Sequence, residues 1–211
     1  MDKRDAMNVP AVAQKTFEEL KKQARYLSLI QLILKKLNKI HQSDKRAEYV
    51  HRLIDGFNDE TFSNPTVKQL SPCKKGCTAC CFSQVSVTQD EASVLAARVE
   101  AGLNIDMNRL QIQMSAKDDS ADYYAIPYQD RKCIFLSDEG ACRVYHDRPS
   151  VCRTNAVIGT ADQCDTSETI QPTRLVKTPE ADMVIYAFYL QAKSSGTLPF
   201  MLAKALGLKD H

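Results

Sequence analysis

The chain has 211 residues, 44% of them apolar and 26% charged, with a formal net charge of +2. That length buries a real core in one compact unit plus an extension, and the composition excludes global disorder and a fibrous architecture. A charge so close to balance argues against nucleic-acid binding, which calls for a concentrated basic surface.

Met1-Asp2-Lys3-Arg4-Asp5-Ala6 mixes both signs of charge and leads into no apolar run with a small-residue cleavage site, so no secretory signal is expected. From Val12 to about His41 the apolar residues Val12, Phe17, Leu20, Ala24, Leu27, Ile30, Leu34, Leu37 and Ile40 recur every three or four positions. This periodicity predicts one long amphipathic helix. Its most apolar part, Tyr26 to Leu34, falls well short of the ~20 residues of a membrane span, so no transmembrane segment is expected and the location is read as cytoplasmic. Lys15, Lys21, Lys22, Arg25, Lys35, Lys36 and Lys39 make the other face basic. Such a face suits plain solvation, an anionic membrane surface, or a partner protein docked on this N-terminal helix.

A second helix is predicted from Lys45 to Phe57, with Ser43 or Asp44 as N-cap, pairing with the first as a hairpin. Asn64-Pro65 and Ser71-Pro72 break regular structure and mark the boundary between arm and core. Val85-Ser86-Val87 alternates briefly, and Thr88-x-x-Glu91 forms a capping box for a helix from Gln89 to Ala101 that stops at Gly102. Asp106 to Lys117 reads as another helix, and Lys117 to Asp122 as a polar loop. Asp138-Glu139-Gly140 predicts a tight hairpin or knuckle between Cys133 and Cys142. Thr178-Pro179-Glu180 starts a helix with Thr178 as N-cap, running to Lys193 and stopped by Ser194-Ser195-Gly196. A last helix is expected from Pro199 to Leu206. The fold class is therefore mainly α with little β. Residues 1–64 form a helical arm, 65–170 a small irregular cysteine-rich core centred on a metal, and 171–211 helices packed on that core.

The chemistry lies in eight cysteines. With no route to an oxidising compartment, disulfides are a poor explanation and metal ligation is the default. Cys73-Lys74-Lys75-Gly76-Cys77-Thr78-Ala79-Cys80-Cys81 places four thiols within nine residues, a density that overrides the usual reading of a buried cysteine as a small hydrophobe. On a helix these sulfurs share one face, and in a loop Gly76 lets the backbone bend around them. Cys133, Cys142 and Cys152 follow far along the chain, so a shared site joins distant segments and couples metal binding to folding. Thiolates suit zinc and iron-sulfur clusters alike, and the adjacent Cys80-Cys81 pair sits more easily on a cluster or two neighbouring sites than on one tetrahedral ion. His146, between Tyr145 and Asp147, reads as exposed and non-ligating, and His41, His51 and His211 as surface residues.

At these residues the chain resembles the YkgJ-like cysteine-cluster family, known as a zinc- or iron-chelating domain. The resemblance is carried by Cys73-Lys-Lys-Gly-Cys77-x-x-Cys80-Cys81, by Thr88-x-x-Glu91-Ala92, by Cys133-Ile134-Phe135-Leu136, and by Cys142-Arg143-Val144-Tyr145-x-x-Arg148-Pro149-x-x-Cys152-Arg153. It implies that Cys73, Cys77, Cys80, Cys81, Cys133, Cys142 and Cys152 are the ligand set, supported by Tyr145, Arg148, Pro149 and Arg153, with Cys164 outside the pattern. Arg148 and Arg153 either offset thiolate charge or make ordinary salt bridges, and Pro149 opens the turn that delivers Cys152. The family is also similar to the cysteine-rich part of flagellin lysine N-methylases, which raises a methyl-transfer enzyme as an alternative, while the extra cysteines and His146 beside Asp147 raise a redox one. No Gly-rich strand-to-helix loop supports the methyl-transfer alternative here. An adaptor with a purely structural metal is the third reading.

Overall fold

A computed structural model describes residues 9–116, 119–167 and 176–208, with only the backbone of Gln163. The architecture is mainly α. The described helices are α1 (Ala11–Leu20), α2 (Ala24–Leu37), α3 (Ser43–Ser63), α4 (Pro65–Leu70), α5 (Gln89–Glu100), α6 (Met107–Met114), α7 (Ser120–Ala125), α8 (Ser150–Thr154), α9 (Pro179–Gln191) and α10 (Leu198–Ala205). Two three-residue strands, β1 (Ser86–Thr88) and β2 (Ser195–Thr197), pair antiparallel with Val87 opposite Gly196. No described helix is long and apolar enough to cross a membrane.

Two apolar clusters organise the helices. In the first, Ala13 of α1, Tyr26, Ile30, Ile33 and Leu37 of α2, and Ala47, Val50 and Ile54 of α3 close around Ala181, Val184, Ile185 and Phe188 of α9. Helix α9 is apolar on nearly every side because it runs through the middle of this bundle. Phe17 stacks on Tyr186 with centroids 4.0 Å apart, and the Thr16 hydroxyl donates to the buried Asp182 carboxylate at 2.7 Å. In the second cluster, Val87, Leu95, Leu110, Ile134, Phe135, Val144, Met201 and Leu202 join β1, α5, α6 and α10 to the knuckle that carries Cys133 and Cys142.

The single long helix predicted from Val12 to His41 is instead two, α1 and α2, separated at Lys21-Lys22-Gln23 where Gln23 is extended. The cause is phase. At ~100° per residue, Ala13 and Tyr26 on one continuous helix face directions about 140° apart, whereas both must meet α9. The break resets the phase, leaving Val12 and Leu27 exposed and the basic residues on the outside. Helix α3 is longer than predicted at both ends, and neither Ser43 nor Asp44 caps it, since its N-cap position is Gln42 without a side-chain bond.

The capping box at Thr88 and Glu91 is present as predicted. Helix α6 is shorter than predicted, with Asp106 as its cap, and Lys117 lies outside the described residues. Helix α7 starts inside the expected polar loop and runs beyond it, because the Asp119 side chain accepts from Ala121 N and Asp122 N and caps a helix rather than a coil. Thr178 takes the N-cap position of α9 with Pro179 after it, as predicted, but its side chain makes no capping bond, since its hydroxyl bonds to Thr61 of α3 at 3.3 Å. Ser195-Gly196, expected only as a helix stop, forms strand β2 with Thr197.

Phe188 is fully buried where α9 meets its neighbours. Phe188→Ala is expected to cost about 3 to 5 kcal/mol of stability by chemical denaturation, and a loss under about 1 kcal/mol would show that α9 does not organise this bundle.

Candidate metal centre

The first cysteine cluster is a loop followed by a 3-10 turn, so of the two geometries open from sequence the loop form is the one found. Gly76 has φ +93°, a left-handed value that admits the turn closed by Cys77 N–H donating to Lys74 O at 3.0 Å. Cys80 and Cys81 then stand on the turn Ala79–Phe82, with Cys81 N–H donating to Thr78 O at 2.8 Å. The predicted knuckle is present. Leu136 bridges Cys142, Ser137 N–H donates to Ala141 O, and Arg143 N–H donates to Phe135 O, both at 2.9 Å. Gly140, at φ +75°, lies at its tip, where an added Cβ would stand 3.4 Å from the Thr78 side chain. Cys133 N–H donates to Cys81 O at 2.7 Å, which ties the two cysteine stretches directly through backbone.

Helix α8 follows Pro149 and carries Cys152. Its first amide, Ser150 N–H, donates at 2.6 Å to Glu91 Oε1, and that carboxylate is 1% exposed. The other oxygen of Glu91 accepts from Thr88 N at 2.9 Å and from the Thr88 hydroxyl at 3.0 Å. His51 Nε2 lies 3.2 Å from Oε1, and its Nδ1 is 3.3 Å from an Arg153 guanidinium nitrogen. With Nε2 donating to Glu91, Nδ1 is left to accept from Arg153. His51, expected at the surface, is therefore buried between α3, α5 and α8 because its two ring nitrogens satisfy polar groups that burial would otherwise leave bare. His146 is exposed, and His211 lies outside the described residues. Burial alone would raise the Glu91 pKa, but the His51 ring and the amides of Thr88 and Ser150 outweigh it and hold the carboxyl below the usual range.

All seven predicted cysteines line one cavity of about 840 Å³. Cys164, set outside the pattern from sequence, lines it too, from the 3-10 turn Ala161–Cys164, and is 4% exposed. Its only signal in the sequence was that it is the eighth cysteine. All eight are free thiols. Val85, Phe135, Leu198 and Pro199 supply apolar wall, and Arg148 and Arg153 also reach the cavity. Among the described residues no three His, Cys, Asp or Glu side chains are already closed around the position of an ion. The sulfurs face a common space without yet gripping one point.

The thiols are not equivalent. A hydrogen bond from Cys81, offset in part by burial and helped by Asn155 and by the positive charge of Arg148, brings Cys80 down to about 7. The same bond and burial push Cys81 far up. Burial raises Cys133 to about 11, Cys164 to about 12, and Cys142 and Cys152 in the same direction. Buried thiols whose charged form is disfavoured fit the chemistry of a cation site, since a bound metal reverses that penalty. Cys73 Sγ accepts from Val157 N at 3.3 Å, a contact suited to a sulfur carrying negative charge.

The two arginines separate cleanly. Arg153 bonds Asp55 at 2.5 Å, the carbonyls of His146 and Arg148 at 2.5 and 3.0 Å, and His51, so it is a structural clamp. Arg148 has its guanidinium carbon 4.2 Å from the centroid of the Tyr145 ring.

Residues 72–174, just under half of the chain, match the sequence model of a family described as "Putative zinc- or iron-chelating domain". That span takes in all eight cysteines. No curated protein and no solved structure matches the chain.

Because the folded Glu91 pKa lies below its unfolded value, its stabilisation is present above the ordinary glutamate pKa of about 4.3 and fades as pH falls through the folded value. Glu91→Gln is expected to cost about 2 kcal/mol at pH 7, and the deficit relative to wild type should shrink below about pH 4 when unfolding is followed by circular dichroism. A deficit independent of pH would contradict the ionised carboxylate as the source.

Proposed function

We propose that the chain carries a thiolate-ligated metal centre, an iron-sulfur cluster or zinc, held by ligands drawn from Cys73, Cys77, Cys80, Cys81, Cys133, Cys142 and Cys152. Cys164 is an eighth thiol facing the same space. The observation that supports this most is that every cysteine of the chain, though they come from well-separated stretches, lines one cavity. Free thiols that only filled a core would have no reason to share a site. The family match to residues 72–174 supports the same reading.

In this reading residues 65–170 are the metal-binding core, the arm 1–64 supplies His51 and Asp55 as its outer support, and the C-terminal helices close the cavity through Leu198 and Pro199. Binding draws the sulfurs inward. A cysteine sulfur swings between staggered positions about Cα–Cβ, which lets side chains that line a common space approach a metal. The spread of the sulfurs and the adjacent Cys80-Cys81 pair favour a cluster over one tetrahedral ion. The metal would supply charge neutralisation and, as a cluster, electron transfer, while Cys133 and Cys142 on the knuckle and Cys152 on α8 bring the second half of the ligand set. A cavity of about 840 Å³ also falls within the range of small-molecule pockets, which favours an open-sided centre with a redox or exchange role over a purely structural one.

Anaerobic purification followed by metal analysis and an absorbance spectrum tests the proposal. Visible charge-transfer bands with iron and sulfide, or colourless protein with stoichiometric zinc, are the supporting results, and Cys133→Ser and Cys142→Ser should each lower metal content at least tenfold. Wild-type protein with neither metal contradicts it.

A further inference from the structure

Concentrating sulfur in a partly buried cavity creates a charge problem. Four thiolates around a divalent ion leave about two negative charges, and further ionised cysteines add to that, all in a setting where unpaired charge is costly. The groups that meet this charge should be cations with no other obligation. Arg153 is disqualified by its bonds to Asp55, to His51 and to two carbonyls. Lys75 reaches the Tyr145 ring only at 5.7 Å and is exposed.

Arg148 differs from both. It lines the cavity alongside the cysteines, and among the described residues it makes no ion pair with a carboxylate. Its Nε is buried without a hydrogen-bond partner. Arg109 and Arg131 also bury an Nε without a partner, but of the three only Arg148 lines the cysteine cavity, where the bare N–H faces a space that an acceptor could fill. The residue is nonetheless held firmly. Its guanidinium lies over Tyr145, its carbonyl accepts from Arg153 Nε at 3.0 Å, and Pro149 restricts its backbone. A planar guanidinium stacks and donates in this way where an ammonium does not.

We infer that Arg148, braced on Tyr145, is a positioning residue that supplies the counter-charge and N–H donors for the sulfurs of the loaded centre. This rests on the metal-centre reading above. With metal bound, that positive charge offsets the negative charge of the sulfurs lining the same cavity and so holds the metal.

The test compares full-length wild type, Arg148→Gln, Arg148→Lys and Tyr145→Leu, each loaded with the metal found in the wild type. Chelator competition and the pH at which metal is released are measured, with circular dichroism of each metal-free protein. Arg148→Gln is expected to lose metal to the chelator about tenfold more readily and to release it at higher pH, because protons then compete against less-stabilised thiolates. Arg148→Lys, which keeps the charge, should recover part of both effects, and Tyr145→Leu should show the same shifts in weaker form. Wild-type behaviour in Arg148→Gln, or equal losses in the Gln and Lys variants, overturns the inference while leaving the metal centre standing. If Arg148→Gln fails to fold, an unshifted Tyr145→Leu overturns it instead. Wild-type protein without metal overturns both readings together.

Discussion

The carboxylate of Glu91 is the constraint on which the geometry of the site depends. It sits buried at the start of α5, and its acceptor capacity is spent on three elements at once: Thr88 at its own helix start, His51 on α3 and the first amide of α8. Helix α8 is only five residues long, too short to hold itself by propensity or packing. The bond to Ser150 N fixes where that turn begins, and so where Cys152 points. Through His51 and Arg153 the same network reaches Asp55, so the N-terminal helices and the cysteine-bearing segment are oriented by one buried polar cluster.

Around that anchor the cysteine stretches are assembled by backbone before any metal is invoked. Cys133 N–H to Cys81 O joins the first cluster to the knuckle, and the Thr78 side chain rests against the knuckle tip at Gly140. The apolar residues between the ligands, Ile134 and Phe135, are core. The fold thus brings the eight cysteines to the lining of one cavity. In the proposed reading, metal binding would tighten this half of the molecule.

Much of this was legible in the sequence where the signal is local. The capping box at Thr88 and Glu91, the turns at Gly76 and Gly140 and the concentration of cysteines each announce themselves within a few residues. What stayed hidden depends on distant partners. Apolar residues at helical spacing run from Val12 to Ile40 without interruption, and only the position of α9 shows that two phases are needed and the helix must break. Glu91 was legible as a cap but not as a hub, because Ser150 and His51 lie 59 and 40 residues away. For the same reason His51 read as a surface residue. Cys164 belongs to no spacing pattern and is brought to the cavity only by the fold. Arg148 and Arg153 were equivalent candidates until their neighbours separated a clamp from a cation that stacks on Tyr145 and, among the described residues, pairs with no carboxylate.

The central claim is that sulfur from both cysteine stretches encloses one metal centre. X-ray absorption at the metal edge of the loaded protein tests it most directly. The account predicts a first shell made of sulfur at about 2.3 Å, lost on replacing cysteines of either stretch. A first shell dominated by nitrogen or oxygen, or one unchanged when Cys133 and Cys142 are replaced by serine, would contradict it.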